Sequence, residues 1–240
     1  MIISKDNCKI RLTRRLMTDK KTRKETGQFV IEGVRLVKEA LASDRCEVQF
    51  ILLSQDSGAD IEGERVKESV FKTIADTVSS QGVVAVCRLN QSGKSGYDSN
   101  CLILDRIRDP GNMGAIIRTA AAAGYGKLYC IDCVDFLEPK AIRASMGGAL
   151  YTDIVRADYE IVDILKNNGV VIIAADTGGN NVFEAELESE VIKCICIGSE
   201  ADGLDKGILD KADRVVSIPM KHIESLNAAV SAGILMYKLR

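Results

Sequence analysis

Three short segments of this chain place polar side chains, glycine and proline directly after apolar runs, as expected where strands end. They are DPGNMGAIIRTAAAAG (109–124), IGSEADGL (197–204) and IPM (218–220) followed by ESLNAAVSAGIL (224–235). In α/β sheets, ligands bind beyond the carboxyl ends of the strands. The three segments therefore predict one site for binding or catalysis.

Each candidate side chain in the first two segments also has a plainer interpretation. Asn112 can cap a helix whose buried stripe is Met113, Ile116, Ile117 and Ala120. Arg118 lies outside that buried stripe, so it is either a functional residue or an ordinary surface arginine. Glu200 follows a buried strand, where a carboxylate is either catalytic or the N-terminal cap of the next helix.

The third segment opens a final helix at Ser225-Leu226-Asn227. That helix is apolar almost all round and contains small residues that allow close backbone approach. It must therefore be deeply packed or lie at a subunit interface.

Composition excludes several kinds of catalytic or metal site. The chain has one histidine, His222, so any Ser-His-Asp triad, Cys-His pair or histidine-rich metal site must use it. Cys130 and Cys133 form a CxxC without the second pair of a zinc ribbon, and the eight cysteines are predicted to be reduced and mostly buried. We predict no metal. Glycine-rich phosphate-binding fingerprints are also missing, so a nucleotide-like cofactor must bind by another geometry.

The elements that position these segments follow from apolar periodicity. Residues 1–92 alternate strands and helices as expected of a small α/β/α domain, with one helix predicted around 64–77. Residues 98–240 carry nearly continuous apolar strands between helices (113–124, 139–149, 160–167 and 226–239), which predicts a mostly parallel sheet covered on both faces. Residues 90–100, rich in Ser, Gly and Asn, are the predicted linker.

Charge is concentrated at the start of the chain. Residues 1–24 hold nine Lys or Arg against two Asp, whereas the whole chain has a net charge of −2. A basic segment on an acidic body favours contact with nucleic acid, and a solvated amphipathic helix is the alternative. The candidate contacts are Arg14, Arg15, Lys20, Lys21, Arg23 and Lys24. With neither an apolar leader nor a membrane-spanning run, we expect a cytoplasmic protein without a membrane partner.

Taken together and in this order, the three segments closely resemble motifs 1, 2 and 3 of the SpoU (TrmH-type) branch of the SPOUT RNA methyltransferases. The resemblance covers residues 101–240. FVIEGVRLVKEAL and SQGVVAV resemble pieces of that family's small, ribosomal-protein-like substrate-binding domain.

The resemblance implies a C-terminal domain with a trefoil knot, bound S-adenosyl-L-methionine, and a homodimer with the active site at its interface. Residues that match cofactor-binding positions are Gly198, Ile218, Met220 and Leu226. Residues that match active-site positions are Asn112, Arg118, Glu200, Ser225 and Asn227. The chain departs from the family in having three residues (221–223), without glycine, between IPM and ESLN, and in having Ala201 where glycine is common.

The implied function is methylation of a ribose 2′-hydroxyl in RNA, with rRNA favoured over tRNA. One alternative is a non-catalytic RNA-binding or ribosome-assembly protein that retains the fold, against which the intact motif residues argue. Another is a small-molecule enzyme, against which the basic leading segment argues.

Overall fold

The computed structural model describes residues 1–77, 80–90, 97–185 and 191–240. Most of the predicted linker, residues 91–96, lies outside that part of the chain. The described strands are β1 (Gln28–Glu32), β2 (Cys46–Ser54), β3 (Glu64–Val66), β4 (Val83–Leu89), β5 (Cys101–Asp105), β6 (Lys127–Ile131), β7 (Asp153–Arg156), β8 (Val171–Asn181), β9 (Lys193–Ile197) and β10 (Arg214–Ser217). The described helices are α1 (Cys8–Thr18), α2 (Lys20–Thr26), α3 (Val34–Ala42), α4 (Glu68–Phe71), α5 (Pro110–Ala123), α6 (Pro139–Ser145), α7 (Ile161–Asn167), α8 (Lys206–Lys211) and α9 (Ala228–Leu239).

The first part of the chain forms a four-stranded sheet in the order β1-β4-β2-β3, in which only β2 and β3 are parallel. Ile10 and Leu16 of α1 pack with Phe71 of α4 on one face of this sheet. Val37 and Ala40 of α3 pack on the other face. The alternation of apolar residues thus builds the predicted α/β/α sandwich.

The second part forms a six-stranded sheet in the order β10-β8-β9-β5-β6-β7, and every strand pair in it is parallel. Helices α5 and α9 cover one face, and α7 and α8 cover the other. This arrangement confirms the predicted parallel sheet and leaves the carboxyl ends of β5, β8, β9 and β10 to form a site. No described helix has the length and apolar character needed to cross a bilayer.

The two sheets share a continuous core and a buried ion pair. Phe29 and Ile31 of β1 belong to the same apolar cluster as Ala141 and Ile142 of α6. At this junction Arg23 donates from Nε to Oδ2 of Asp135 at 2.7 Å, and the two side chains are 4% and 1% exposed. Arg156 donates to the other carboxylate oxygen, Oδ1, at 2.9 Å. The prediction that Arg23 contacts RNA is therefore wrong, because its guanidinium is buried against Asp135 between the two sheets.

Local conformation also corrects two predicted helices. The helix expected around 64–77 is mostly absent, because residues 64–66 pair with β2 and only Glu68–Phe71 is helical. The helix expected over 139–149 ends at Ser145, because Met146 and Gly147 adopt left-handed φ values of 48° and 90°. A short 3₁₀ turn (Gly148–Leu150) follows.

Candidate active site

The loop between β5 and α5 frees Asn112 for the site. Asp109, not Asn112, is the N-cap of α5, since its Oδ1 accepts a hydrogen bond from the Asn112 backbone N–H at 2.8 Å. Pro110 occupies the first helical turn, where its missing N–H costs nothing. This bond and a second one from Lys140 lower the pKa of Asp109. The Asn112 side chain is therefore available for tertiary contacts, which corrects its predicted role as the cap.

Residues from all three segments meet in one hydrogen-bond network. The Asn112 amide donates to Oε1 of Glu200, and the Asn227 amide donates to Oδ1 of Asn112 at 2.9 Å. The backbone N–H of Ala228 at the start of α9 also donates to Glu200, at 3.3 Å. Asn227 itself caps α9, since its Oδ1 accepts from the N–H groups of Ala229 and Val230. Both amides thus have fixed orientations, and Glu200 faces the positive end of α9.

A cavity of about 340 Å³ lies beside this network, and we call it the strand-end cavity. Its lining includes the four residues matched to cofactor positions, Gly198, Ile218, Met220 and Leu226, together with Glu200 and Ser225. Loop 198–205 forms one wall by folding back on itself. A Cβ on Gly198 would lie 2.2 Å from the carbonyl carbon of Gly203, so only glycine allows this approach.

Arg118 lies apart from the network and the cavity. Its side chain is exposed on α5, and no hydrogen bond or ion pair engages it within the described part of the chain. The next residue, Thr119, faces α9, because a Cβ on Gly233 would lie 3.7 Å from its methyl group. Within this chain, Asn112 and Glu200 therefore contact each other and not Arg118.

Sequence reasoning missed one wall of the cavity. Ala175, Asp176 and Thr177 line it from β8, as do Ser231 and Leu235 from α9. The signal was available, because the apolar run VVIIAAD (170–176) is a strand by the same reasoning, and its carboxyl end lies at the same sheet edge. Leu235 is 1% exposed, so it serves the fold and the cavity and not a subunit interface.

The unusual features of the second and third segments lie outside the cavity lining. Lys221, His222 and Ile223 are exposed, and so is Ala201. Across the described residues, no group of three or more His, Cys, Asp or Glu is arranged to hold a metal ion. All eight cysteines are free thiols, and the Cys133 thiol bonds to the Leu104 carbonyl oxygen at 3.2 Å.

The remaining basic candidates differ in how accessible they are. Lys20, Lys21 and Lys24 are exposed on α2. Arg15 is exposed and donates to the Thr22 hydroxyl at 3.0 Å, while Arg14 is half-buried and donates to the Lys5 carbonyl oxygen at 3.3 Å. Among these candidates, Lys20 and Lys24 are exposed and form no ion pair with any described residue, and Lys21 forms only an exposed pair with Glu25 at 3.8 Å.

Family models match both parts of the chain. Residues 99–237 match the model described as the SpoU rRNA Methylase family. Residues 7–85 match the model described as an MRM3-like substrate binding domain. The first of these matches alone covers more than half of the chain.

Relatives match over the full length. The chain is 32% identical to the 23S rRNA (guanosine(2553)-2′-O)-methyltransferase RlmP of Bacillus subtilis, over 100% of this chain and 98% of the relative. An AdoMet-bound rRNA methyltransferase from Sinorhizobium meliloti superposes with a TM-score of 0.87 at 27% identity, covering 100% of this chain and 96% of that one. The AdoMet complex of the SpoU methyltransferase AviRb from Streptomyces viridochromogenes gives 0.83 at 25% identity, with 97% of each chain covered. The chain therefore belongs to the SpoU rRNA methylase family.

Proposed function

We propose that this protein transfers a methyl group from S-adenosyl-L-methionine to a ribose 2′-hydroxyl of 23S rRNA. The observation that carries the proposal is the meeting of all three motifs at one place, where the Asn112–Glu200–Asn227 network borders the strand-end cavity. The full-length likeness to a 23S rRNA 2′-O-methyltransferase supports the RNA class and the reaction.

The strand-end cavity suits the cofactor in size and chemistry. Its volume of about 340 Å³ lies within the roughly 300–1,000 Å³ usual for small-molecule and cofactor sites. Ile218, Met220 and Leu226 supply apolar walls, and Gly198 and Gly203 bring the backbone of loop 198–205 into the lining. The carboxylates of Asp176, Glu200 and Asp202 also line the cavity and favour a cationic ligand. When bound, S-adenosyl-L-methionine supplies a methyl group on a positively charged sulfur.

The residues of this chain position the acceptor and stabilise its charge. Glu200 and Asn112 hold each other in fixed orientations at the border of the cavity, so they orient the ribose. The guanidinium of an arginine stays positively charged in proteins, so Arg118 stabilises the developing alkoxide by its charge and does not act as a base. Ser225 and Asn227 shape the pocket between ribose and cofactor.

Incubation with methyl-labelled S-adenosyl-L-methionine and separate 23S rRNA, 16S rRNA and tRNA pools tests the function. We expect label in 23S rRNA only, at a ribose that becomes resistant to alkaline cleavage. The first nucleotide to examine is the one equivalent to guanosine 2553 of 23S rRNA, the position given in the name of the relative. Label confined to tRNA would contradict the rRNA assignment, and RNA binding without transfer would support the non-catalytic alternative.

Basic residues extend from the first domain toward the active site and support an RNA path. Arg108, on the β5–α5 loop, donates to Oδ2 of Asp132 at 2.6 Å. That hydrogen bond lowers the pKa of Asp132, and the positive charge of Lys20 on α2 lowers it further. Arg108 and Lys20 therefore both lie near Asp132, which places positive charge between α2 and the start of α5, where Asn112 lies.

Neutralising α2 should weaken RNA binding without affecting the cofactor. We expect the triple variant Lys20→Gln, Lys21→Gln, Lys24→Gln to lower affinity for every RNA and to reduce the slope of log K against log salt by roughly 0.7–0.9 per lost phosphate contact. The measurement is an RNA titration over a salt series. The matched control is Lys166→Gln, Lys206→Gln, Lys211→Gln, which removes the same charge from α7 and α8; an equal loss in both would contradict a specific role for α2.

We further propose that the protein is a homodimer whose interface includes α9. Val230 and Tyr237, seven residues apart on one side of α9, are 51% and 48% exposed, with Ile234 half-buried between them. Such a stripe on a surface helix is typical of a protein interface. Arg118 lies on α5, the helix that packs against α9, so dimerisation would carry it toward the site of the partner.

A charge on that stripe should separate the subunits. Tyr237→Asp is expected to give a monomer by light scattering, because an interface core does not tolerate an unpaired carboxylate. Ile164→Asp, at an apolar position of α7 that is 42% exposed, is the control and should remain dimeric. A wild-type monomer at assay concentration would refute the dimer.

The family's trefoil knot and a cytoplasmic location complete the proposal. The knot is supported by the match of residues 99–237 to the SpoU rRNA Methylase family. The eight free thiols and the proposed rRNA substrate support a cytoplasmic location.

A further inference from the structure

Asp105, the last residue of β5, is a fully buried carboxylate to which the proposed chemistry assigns no role. Its Oδ1 accepts hydrogen bonds from Nε of Arg106 at 3.2 Å and from the Tyr159 hydroxyl at 3.1 Å. Its Oδ2 accepts from Nη2 of Arg106 at 3.1 Å and from the backbone N–H of Asp205 at 2.8 Å. Burying a carboxyl group costs free energy that its hydrogen bonds must offset. The partners of Asp105 therefore indicate which part of the structure it holds in place.

Arg106, which makes these contacts, has an unusual backbone conformation. Its φ is 56°, in the left-handed region that residues with a side chain rarely occupy. Such conformations persist where surrounding contacts impose them, and they concentrate at functional sites. The hydrogen bond to Asp105 also raises the pKa of Arg106.

Both residues reach the base of loop 198–205. Asp105 accepts from the Asp205 N–H, and Nη2 of Arg106 donates to the Gly203 carbonyl oxygen at 3.4 Å. The far part of the same loop is held separately, because Glu200 bonds to Asn112 and to the Ala228 N–H. Gly198 and Gly203 of this loop line the strand-end cavity. The loop is thus fixed at two places, and Asp105 with Arg106 supplies the fixation farther from the reacting groups.

We propose that Asp105 and Arg106 are positioning residues that hold loop 198–205 as a wall of the cofactor site. They act through the loop backbone, so they determine affinity for S-adenosyl-L-methionine and not the rate of methyl transfer. This inference rests on the proposed function.

The test compares four variants of the full-length protein by calorimetry with S-adenosyl-L-methionine and by steady-state kinetics. Asp105→Asn is expected to raise the Kd and KM for the cofactor roughly 10- to 100-fold, the usual effect of losing a partner that orients binding groups. The kcat at saturating cofactor and the KM for RNA should stay within a few-fold of wild type. Arg106→Gly should also raise the Kd, although glycine relieves the left-handed strain, and Arg106→Lys should restore part of the affinity. Tyr159→Phe, which removes a hydrogen bond to Oδ1 of Asp105 but leaves the bonds from Asp105 and Arg106 to the loop in place, is the control and should bind the cofactor like wild type.

The outcomes separate this inference from the function on which it rests. If Asp105→Asn fails to fold, Arg106→Gly decides the question, since glycine accommodates the backbone. A wild-type protein that binds the cofactor, with both variants binding equally well, overturns the inference alone. So does a fall in kcat with the cofactor KM unchanged. A wild-type protein without affinity for S-adenosyl-L-methionine overturns the inference and the function together.

Discussion

Arg118→Ala is expected to slow methyl transfer by roughly 10²- to 10³-fold, the usual effect of removing a group that stabilises developing charge. The Kd for S-adenosyl-L-methionine should not change, because Arg118 lies outside the strand-end cavity. Single-turnover transfer and calorimetry measure the two quantities separately. Arg118→Lys should also be poor, since a point charge does not reproduce the planar guanidinium. Affinity for the cofactor that falls in proportion to the rate would contradict this division of roles.

Mixing two inactive variants determines which subunit supplies Arg118. If Arg118 serves the site of the partner, Arg118→Ala and Asn112→Ala combine into mixed dimers that contain one intact site. Random pairing makes about half of the dimers mixed, so about one quarter of wild-type activity should return. If Arg118 serves its own subunit, every site in the mixture carries a defect and no activity returns. The control is each variant alone, taken through the same refolding or subunit-exchange procedure.

Arg23→Ala is expected to lower the free energy of unfolding by about 3–5 kcal/mol, because it leaves the buried carboxylate of Asp135 without one of its two arginines. That loss is a large part of the roughly 5–15 kcal/mol that stabilises a typical protein. Denaturant unfolding measures it. Arg35→Ala is the matched control, since Arg35 is exposed on α3 and pairs with Glu39 one turn away, and such helical pairs contribute only about 0.3–0.5 kcal/mol.

The same junction bears on whether residues 98–240 fold alone. From sequence, this fragment is expected to fold, dimerise and bind the cofactor, because it contains all three motifs. The shared core and the Arg23–Asp135 pair lead us to expect a less stable fragment, because separation exposes α6 and leaves Asp135 to Arg156 alone. Equal unfolding midpoints for Arg23→Ala and wild type would show that the junction adds little.

Much of the fold could be predicted because the sequence expresses it locally. Continuous apolar runs indicate the parallel strands, and polar residues at their ends indicate the edge where the site lies. The meeting of Asn112, Glu200 and Asn227 follows from that rule, since their segments end neighbouring strands or begin the helices that follow.

What the sequence could not reveal depends on tertiary contacts or on unusual backbone angles. Nothing near Arg23 distinguishes it from Lys20 or Lys24, because its burial requires Asp135, more than a hundred residues away. Helix propensity favours residues 64–77, but pairing with β2 outweighs it. The left-handed φ of Arg106 has no sequence signal either, because glycine is the residue expected there.

The junction between the two sheets also sets the distance between the α2 lysines and the active site. Because Arg23 and the shared core fix α2 relative to Asn112, the span between the lysines and the reacting groups is constant. If the α2 lysines contact phosphates as we propose, an RNA is accepted only when its folded shape presents phosphates and an accessible ribose at that spacing. Selection of the nucleotide would then depend on distances within the folded RNA and would require few contacts to bases.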